Sequence, residues 1–195
     1  MRKTLIFFAA VVSILSFTLP LQAEEKHGRF FAGAGVSGVI ERFDTNDLKQ
    51  LFGSVNTSVD DSWGLNIFGG YWWHKHFAVE GNFNWYDDFN GQAGGLGFDV
   101  SIWLAMLDLK IYSPALWEDT IFPYLRAGGG IMNVNIDSAI ADPDDSDFAY
   151  DLGLGFDIFV RDRVSVGLDI KHVWGTGDVT EFNHWAGTIR AAYHF

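Results

Sequence analysis

The chain has 195 residues, with 13 Lys and Arg against 25 Asp and Glu, 22 Gly, 8 Trp, 18 Phe and no Cys, which limits it to about one ordinary domain. A formal charge of −12 argues against a nucleic-acid partner, because phosphate binding draws on clustered Lys and Arg that release counterions. The missing cysteines exclude disulfides, thiol nucleophiles, thiolate metal sites and a lipid-modified N-terminal cysteine.

At the start of the chain, Arg2 and Lys3 precede an apolar run from Leu5 to Leu19, which Pro20 ends. Leu21, Gln22 and Ala23 then bring a small residue just before Glu24 and Glu25. This is the pattern of a signal peptide over residues 1–23, cleaved after Ala23. Its removal takes two positive charges and no negative one from the chain, so −12 becomes −14 for residues 24–195. Beyond it, no stretch offers the roughly 18 consecutive apolar residues of a membrane helix.

Instead, a two-residue period recurs along the chain. Phe30, Ala32, Ala34, Val36 and Ile40 share one parity, as do Trp63, Leu65, Ile67, Tyr71 and Trp73. In the next segment Phe77, Val79, Phe83 and Trp85 oppose Glu80, Asn82, Asn84 and Tyr86. From Leu96 to Tyr112 the phase slips: Phe98, Val100, Ile102 and Leu104 share a parity, whereas Leu107, Leu109 and Ile111 take the other, with Asp108 and Lys110 opposite. A bulge near Ala105 accounts for the slip. Further on, Leu125, Ala127, Gly129 and Ile131 oppose Tyr124, Arg126, Gly128 and Gly130. Phe148, Tyr150, Leu152, Leu154, Phe156, Ile158 and Val160 oppose Asp151, Asp157 and Arg161. Val164, Val166, Leu168 and Ile170 oppose Asp169 and Lys171, and finally Trp185, Ile189, Tyr193 and Phe195 oppose Thr188, Arg190 and His194. Successive residues of a strand point to opposite faces, so these are eight two-faced strands.

Short links at 74–76, 113–120 and 161–163 alternate with longer polar ones at 41–62, 87–95, 137–147 and 175–183. Outer-membrane barrels alternate short periplasmic turns and long extracellular loops in this way. Aromatic residues gather at strand ends, among them Trp63, Trp73, Trp85, Trp174 and Trp185, where they would form interfacial girdles. In hydrocarbon every backbone N–H and C=O needs an internal partner, which a sheet provides only by closing. The expected fold is therefore an all-β, eight-stranded antiparallel up-and-down transmembrane β-barrel.

The segment Pro123, Tyr124, Leu125, Arg126, Ala127, Gly128, Gly129, Gly130 resembles the PYxxAGxG strand of the small outer-membrane β-barrel family, the group with the OmpA, OmpW and OmpX types. The run Leu152 to Val160, a short turn and Val164 to Trp174 resemble that group's sixth and seventh strands, and Ala191 to Phe195 resembles its aromatic ending. The resemblance implies a monomer in the bacterial outer membrane among lipid and lipopolysaccharide, with Tyr193 and Phe195 as the signal read by the barrel-assembly machinery.

The inward parity supplies a lumen charge network of Glu80, Asp108, Lys110, Arg126, Asp151, Asp157, Asp169, Lys171 and Arg190, with His194 beside it. An eight-stranded interior is barely wide enough for its own side chains. These charges are expected to pair across the lumen as a salt-bridge plug, with Arg126 and Arg190 held by Glu80 and Asp157; an ion path is the alternative. A structural or surface-interaction role follows. OmpW-like passage of small or apolar molecules is the second reading, favoured if Phe68, Trp72 and Phe159 line the lumen. A lipid A-modifying enzyme is the third: His172 sits where the deacylase type keeps a histidine, but Trp174 occupies the position where that type has a serine. His184, Thr188 and Asp178 make a poor hydrolytic set, because Thr lacks an activating amine there. His74 and His76 read as turn residues rather than ligands. Asp142, Asp144, Asp145 and Asp147 offer calcium-type oxygens without the spacing of an EF-hand loop, and no motif calls for a cofactor. Leu48, Leu51, Phe52 and Val55 have helical spacing, which suits a short helix at the barrel mouth.

Overall fold

The computed structural model describes residues 29–41, 62–93, 96–117, 120–138 and 144–195. The expected leader, the helical spacing of Leu48 to Val55 and the acidic residue Asp142 lie outside them. Eight strands follow in order: β1 (Phe30–Glu41), β2 (Ser62–His74), β3 (Phe77–Ala93), β4 (Leu96–Tyr112), β5 (Ile121–Ser138), β6 (Asp144–Arg161), β7 (Val164–Gly175) and β8 (His184–His194). Each pairs antiparallel with the next, and β8 returns to β1 through the register Phe31↔His194 to Glu41↔His184, which closes the barrel. Among the described strands, no sheet edge is left to be satisfied by solvent.

The outward parity is apolar: Val36, Ile67, Leu107, Leu125, Leu152, Leu154 and Ile189 are all exposed. The inward parity falls into three levels. At the end with the short turns, Phe31, Phe68, Tyr112, Tyr124, Trp72 and Phe122 form an aromatic floor. In the middle lie the charged side chains. At the end with the long connections, Val39, Tyr86, Ile102, Leu104, Met106, Met132, Val134 and Val173 form an apolar roof, completed by Val179 and Phe182 of a 3-10 helix over Gly177–Phe182.

The roof corrects the reading of β4. Its ladder to β5 runs without interruption from Phe98↔Ser138 to Tyr112↔Tyr124, so there is no bulge at Ala105. Ile102, Leu104 and Met106 point inward on the same parity as Asp108 and Lys110, while Leu107, Leu109 and Ile111 point outward. What reads as a slip of phase is a change in the lining of the lumen from apolar to charged. The irregularity lies on β3 instead, where the register shifts between Tyr86 and Phe89.

The long connections are shorter than their polarity suggests. The β3–β4 ladder continues to Ala93↔Leu96, and β5 and β6 pair as far as Asn135↔Asp144. Main-chain pairing satisfies those backbone groups without an apolar alternation, so sequence periodicity does not register them as strand.

The charged layer as candidate functional site

The ladders bring the charges together because long inward side chains stand opposite inward glycines. Arg126 pairs with Gly153, which pairs in turn with Lys171; Asp108 and Asp151 flank Gly128; Arg190 pairs with Gly167 and Gly35. At Gly153 a Cβ would meet the Ile170 carbonyl at 2.6 Å and Lys171 Cβ at 2.8 Å, so the space a side chain would occupy is already filled. These glycines were legible only as interruptions of apolar alternation, although they make room for the charges in a lumen of this size.

Glu80 is the best-served carboxylate. Its Oε1 accepts from Arg190 Nη1 at 3.0 Å, and its Oε2 lies 2.5 Å from Arg190 Nη2 and 2.7 Å from Lys110 Nζ. Asp169 Oδ2 accepts from Arg126 Nη1 at 3.0 Å, Arg190 Nη1 at 3.3 Å and the Tyr124 hydroxyl at 3.3 Å. Asp157 accepts from the Tyr112 hydroxyl at 2.9 Å and faces Arg190 Nε at 4.0 Å. Arg126 Nη2 donates to Asp108, which also accepts from Asn82, and lies 3.8 Å from Asp151; Lys171 Nζ donates to Asp151 at 3.3 Å. All nine of these residues are buried. The nearest partners of Arg126 are Asp108 and Asp169, and the expected contact with Glu80 is present as a longer ion pair at 3.9 Å. Depth along a strand ignores the stagger between neighbouring strands.

Both ends of the layer continue into hydrogen-bonded or apolar packing. Toward the roof, Asn84 donates to Asn82 at 2.6 Å and Asn66 donates to Asn84 at 3.0 Å. Toward the floor, Arg190 lies 3.7 Å from the Phe68 ring centre and Lys110 lies 4.2 Å from that of Tyr124, distances suited to cation–π attraction. Phe68 and Trp72 belong to this aromatic floor, and Phe159 packs edge-on against Phe122 beside it.

The histidines separate by position. His172 faces outward between Trp174 and Trp185, at ring distances of 4.2 and 4.7 Å. His184 is buried under the 3-10 helix, its Nδ1 2.9 Å from the Phe182 carbonyl. His194 Nε2 lies 2.9 Å from Ser165 Oγ, a Ser–His approach that the sequence reading missed because the residues are far apart in the chain. That pair is buried beside Phe31 and Phe159. Tyr193 and Phe195 are exposed on the outward side with rings 5.1 Å apart, and Phe195 N donates to the Phe30 carbonyl at 2.7 Å. At the short-turn end, Leu116 and Trp117 are also exposed.

Among known proteins, the barrel is similar to Ail of Yersinia pestis, with 12% identity over 87% of this chain and 99% of that one and a TM-score of 0.59. It is similar to Neisserial surface protein A, with 13% identity over 85% and 97% and a TM-score of 0.56. It is also similar to OprG from Pseudomonas aeruginosa, with 17% identity over 88% and 98% and a TM-score of 0.56. At such identities the likeness is one of fold. No curated protein matches the chain. The model of the outer membrane protein beta-barrel domain matches residues 9–195, and with that match, the closed eight-stranded sheet and its apolar outer face, the chain belongs to the family of outer-membrane β-barrel proteins.

Proposed function

We propose that this protein is a monomeric, non-enzymatic barrel of the bacterial outer membrane, exported with loss of residues 1–23, whose lumen is closed to ions and whose long loops meet partners outside the cell. The paired charge layer carries this reading, because it lies between an apolar roof and an aromatic floor in a barrel too narrow for a wide channel. Planar-bilayer recording of the refolded protein tests it. The expected result is no conductance steps, and stable ohmic conductance in the unmutated protein overturns the closed lumen.

Charge distribution gives the surface role its direction. The connections 41–62, 87–95, 137–147 and 175–183 hold 14 Asp and Glu against 2 Lys and Arg, whereas the links 74–76, 113–120 and 161–163 hold 3 of each. Nearly the whole negative charge therefore belongs to the end that the short-turn rule assigns to the outside. Ail has been crystallised with a heparin analogue, sucrose octasulfate; here the same fold carries an end that repels polyanions and draws cationic partners. Cells displaying the protein should retain a polylysine probe in a salt-sensitive way and should not retain heparin. Heparin binding, or polylysine binding indifferent to salt, overturns this polarity.

On this reading the outward parity contacts lipid and lipopolysaccharide, and Tyr193 and Phe195 are presented to the assembly machinery. OmpW-like passage of apolar molecules stands as the second reading because Ile102, Leu104, Met106, Met132 and Val134 make the roof apolar. Saturable uptake of an uncharged apolar solute without ion conductance would favour it.

A further inference from the structure

The connection between β7 and β8 is built differently from the strands it joins. Its ends are tied to each other, Gly175 N donating to Asn183 Oδ1 at 2.9 Å, so residues 176–182 form a compact loop on a closed neck. Within it, Val179 N donates to the Thr176 carbonyl at 3.1 Å and the Thr180 hydroxyl donates to the Gly177 carbonyl at 2.7 Å. Asp178, Thr180 and Glu181 are exposed, whereas Val179 is fully buried and Phe182 packs against the roof. The loop rests on β5, β6 and β7.

One side chain outside the loop fastens it. Oδ2 of Asp147, on β6, accepts from Asp178 N at 3.4 Å. Oδ1 lies 3.3 Å from the Thr176 hydroxyl, which donates to the Phe148 carbonyl at 2.7 Å. Thr176 N donates to the same carbonyl at 2.9 Å, and beyond it no main-chain bond ties Gly177–Phe182 to a strand among the described residues. Gly177 has φ +54°, in the left-handed region that side chains disfavour, and a Cβ there would collide with Asp147 Oδ2. The carboxylate thus takes the place of a side chain at Gly177. At Gly175 a Cβ would collide with the Val179 carbonyl, so this glycine lets the loop lie close on the roof.

Cohesion is unequal. Each strand has a ladder on both sides, whereas Gly177–Phe182 is held down by two apolar side chains and one carboxylate. A segment with so few contacts opens at far lower free energy than the barrel as a whole. The packing beneath acts in the same direction. The Tyr86 hydroxyl and His184 Nε2 are buried in the roof without a hydrogen-bond partner, with rings 5.3 Å apart. Unpaired buried polar atoms are unfavourable, and lifting the loop lets water reach them.

We propose that Gly177–Phe182 is a lid on the long-loop mouth of the lumen, hinged at Gly177 and latched by Asp147, which opens without unfolding the barrel and uncovers the apolar roof. The neck from Gly175 to Asn183 and the Thr176 bonds to Phe148 stay in place as it moves. The lid controls what reaches Ile102, Leu104, Met132 and Val134 from the long-loop side, and it acts separately from the charge layer below.

The chain has no cysteine, so single introduced cysteines report opening. Ala149 is fully buried in the roof and pairs with Gly175 beneath the loop; Ala192 is buried in the floor. Ala149→Cys and Ala192→Cys are made separately, each with Asp147 intact and with Asp147→Ala, and refolded into phosphatidylcholine vesicles. Modification by N-ethylmaleimide is followed by mass spectrometry. With Asp147→Ala the cysteine at 149 should react about ten-fold faster or more, and the cysteine at 192 no faster, as local opening requires. Equal rates at 149 in the two backgrounds overturn the latch. Acceleration at both positions also overturns it, because the barrel itself has then loosened. Should Asp147→Ala not refold, hydrogen exchange of the unmutated barrel decides: the amide of buried Val179 should exchange much faster than those of Asp151 and Val173 in the adjoining ladder, and exchange as slow as theirs overturns the lid.

Discussion

Two halves of β4 share one strand and one unbroken register, yet they line the lumen in opposite ways. Toward the long loops the inward residues are Ile102, Leu104 and Met106; toward the short turns they are Asp108, Lys110 and Tyr112. The outward residues Leu107, Leu109 and Ile111 accompany the charged half. Strand alternation therefore reports a contrast between faces only where the two faces differ in polarity. In the loop-end half both faces are apolar, and the contrast disappears although the geometry does not change.

The largest effect should come from the charged half. Glu80→Ala leaves Arg190 and Lys110 without their nearest carboxylate, and stripping one partner from a buried ion pair costs about 3–5 kcal/mol. Equilibrium urea unfolding of the vesicle-inserted barrel should show that loss. Adding Arg190→Ala should recover part of it, and strict additivity of the two changes would mean that the pair is not coupled.

The roof is tested by size rather than by charge. Leu104→Ala removes a fully buried side chain from the apolar cluster and should cost about 2–5 kcal/mol, the range for large-to-small changes in packed cores. Leu107→Ala, three residues on and outward, faces lipid that can refill the space and should be milder. A reversed order would restore the slip near Ala105 and reject the roof.

Strand number and the inside and outside of most strands were legible in the sequence because each rests on local pattern: apolar residues alternating with Glu80, Arg126, Asp157 and Asp169. The partners within the lumen were less so. Arg126 lies nearer Asp108 and Asp169 than Glu80, which it reaches only at 3.9 Å, because the stagger between strands sets which side chains share a level. The roof was hidden by its likeness to the lipid face. The 3-10 helix was hidden because only Val179 and Phe182 of its six residues are apolar, too few to show a period.

The glycines sharpen the comparison between faces. Leu154→Arg places a charge on the outward side of β6, where about 2–4 kcal/mol is expected near the bilayer midplane. Gly153→Ser is a small change on the inward side, but its new Cβ would meet the Ile170 carbonyl and Lys171. Overpacking of this kind costs about 1–3 kcal/mol. Both variants should therefore be damaged in unfolding experiments, for different reasons. The atoms met are the Ile170 carbonyl and Lys171 Cα and Cβ, all of which Lys171→Ala retains, so that second change should rescue neither variant. Rescue of Gly153→Ser by it would place the defect at the outer part of the lysine side chain instead.

The smallest effect is expected where a polar contact carries no charge. Ser37 Oγ and Thr188 Oγ1 lie 2.9 Å apart, buried across the seam where β8 closes on β1. Thr188→Val keeps the shape of the side chain and removes one hydroxyl, so the loss should be about 0.5–1.5 kcal/mol, the net worth of a neutral hydrogen bond. The main-chain ladder from Phe31↔His194 to Glu41↔His184 holds the seam without it. Adding Ser37→Ala should return stability toward the wild type, since the orphaned hydroxyl is then gone as well. A Thr188→Val loss as large as that of Glu80→Ala would show that the seam depends on this side-chain contact, and would make the closing strands, rather than the charge layer, the part of the barrel most sensitive to substitution.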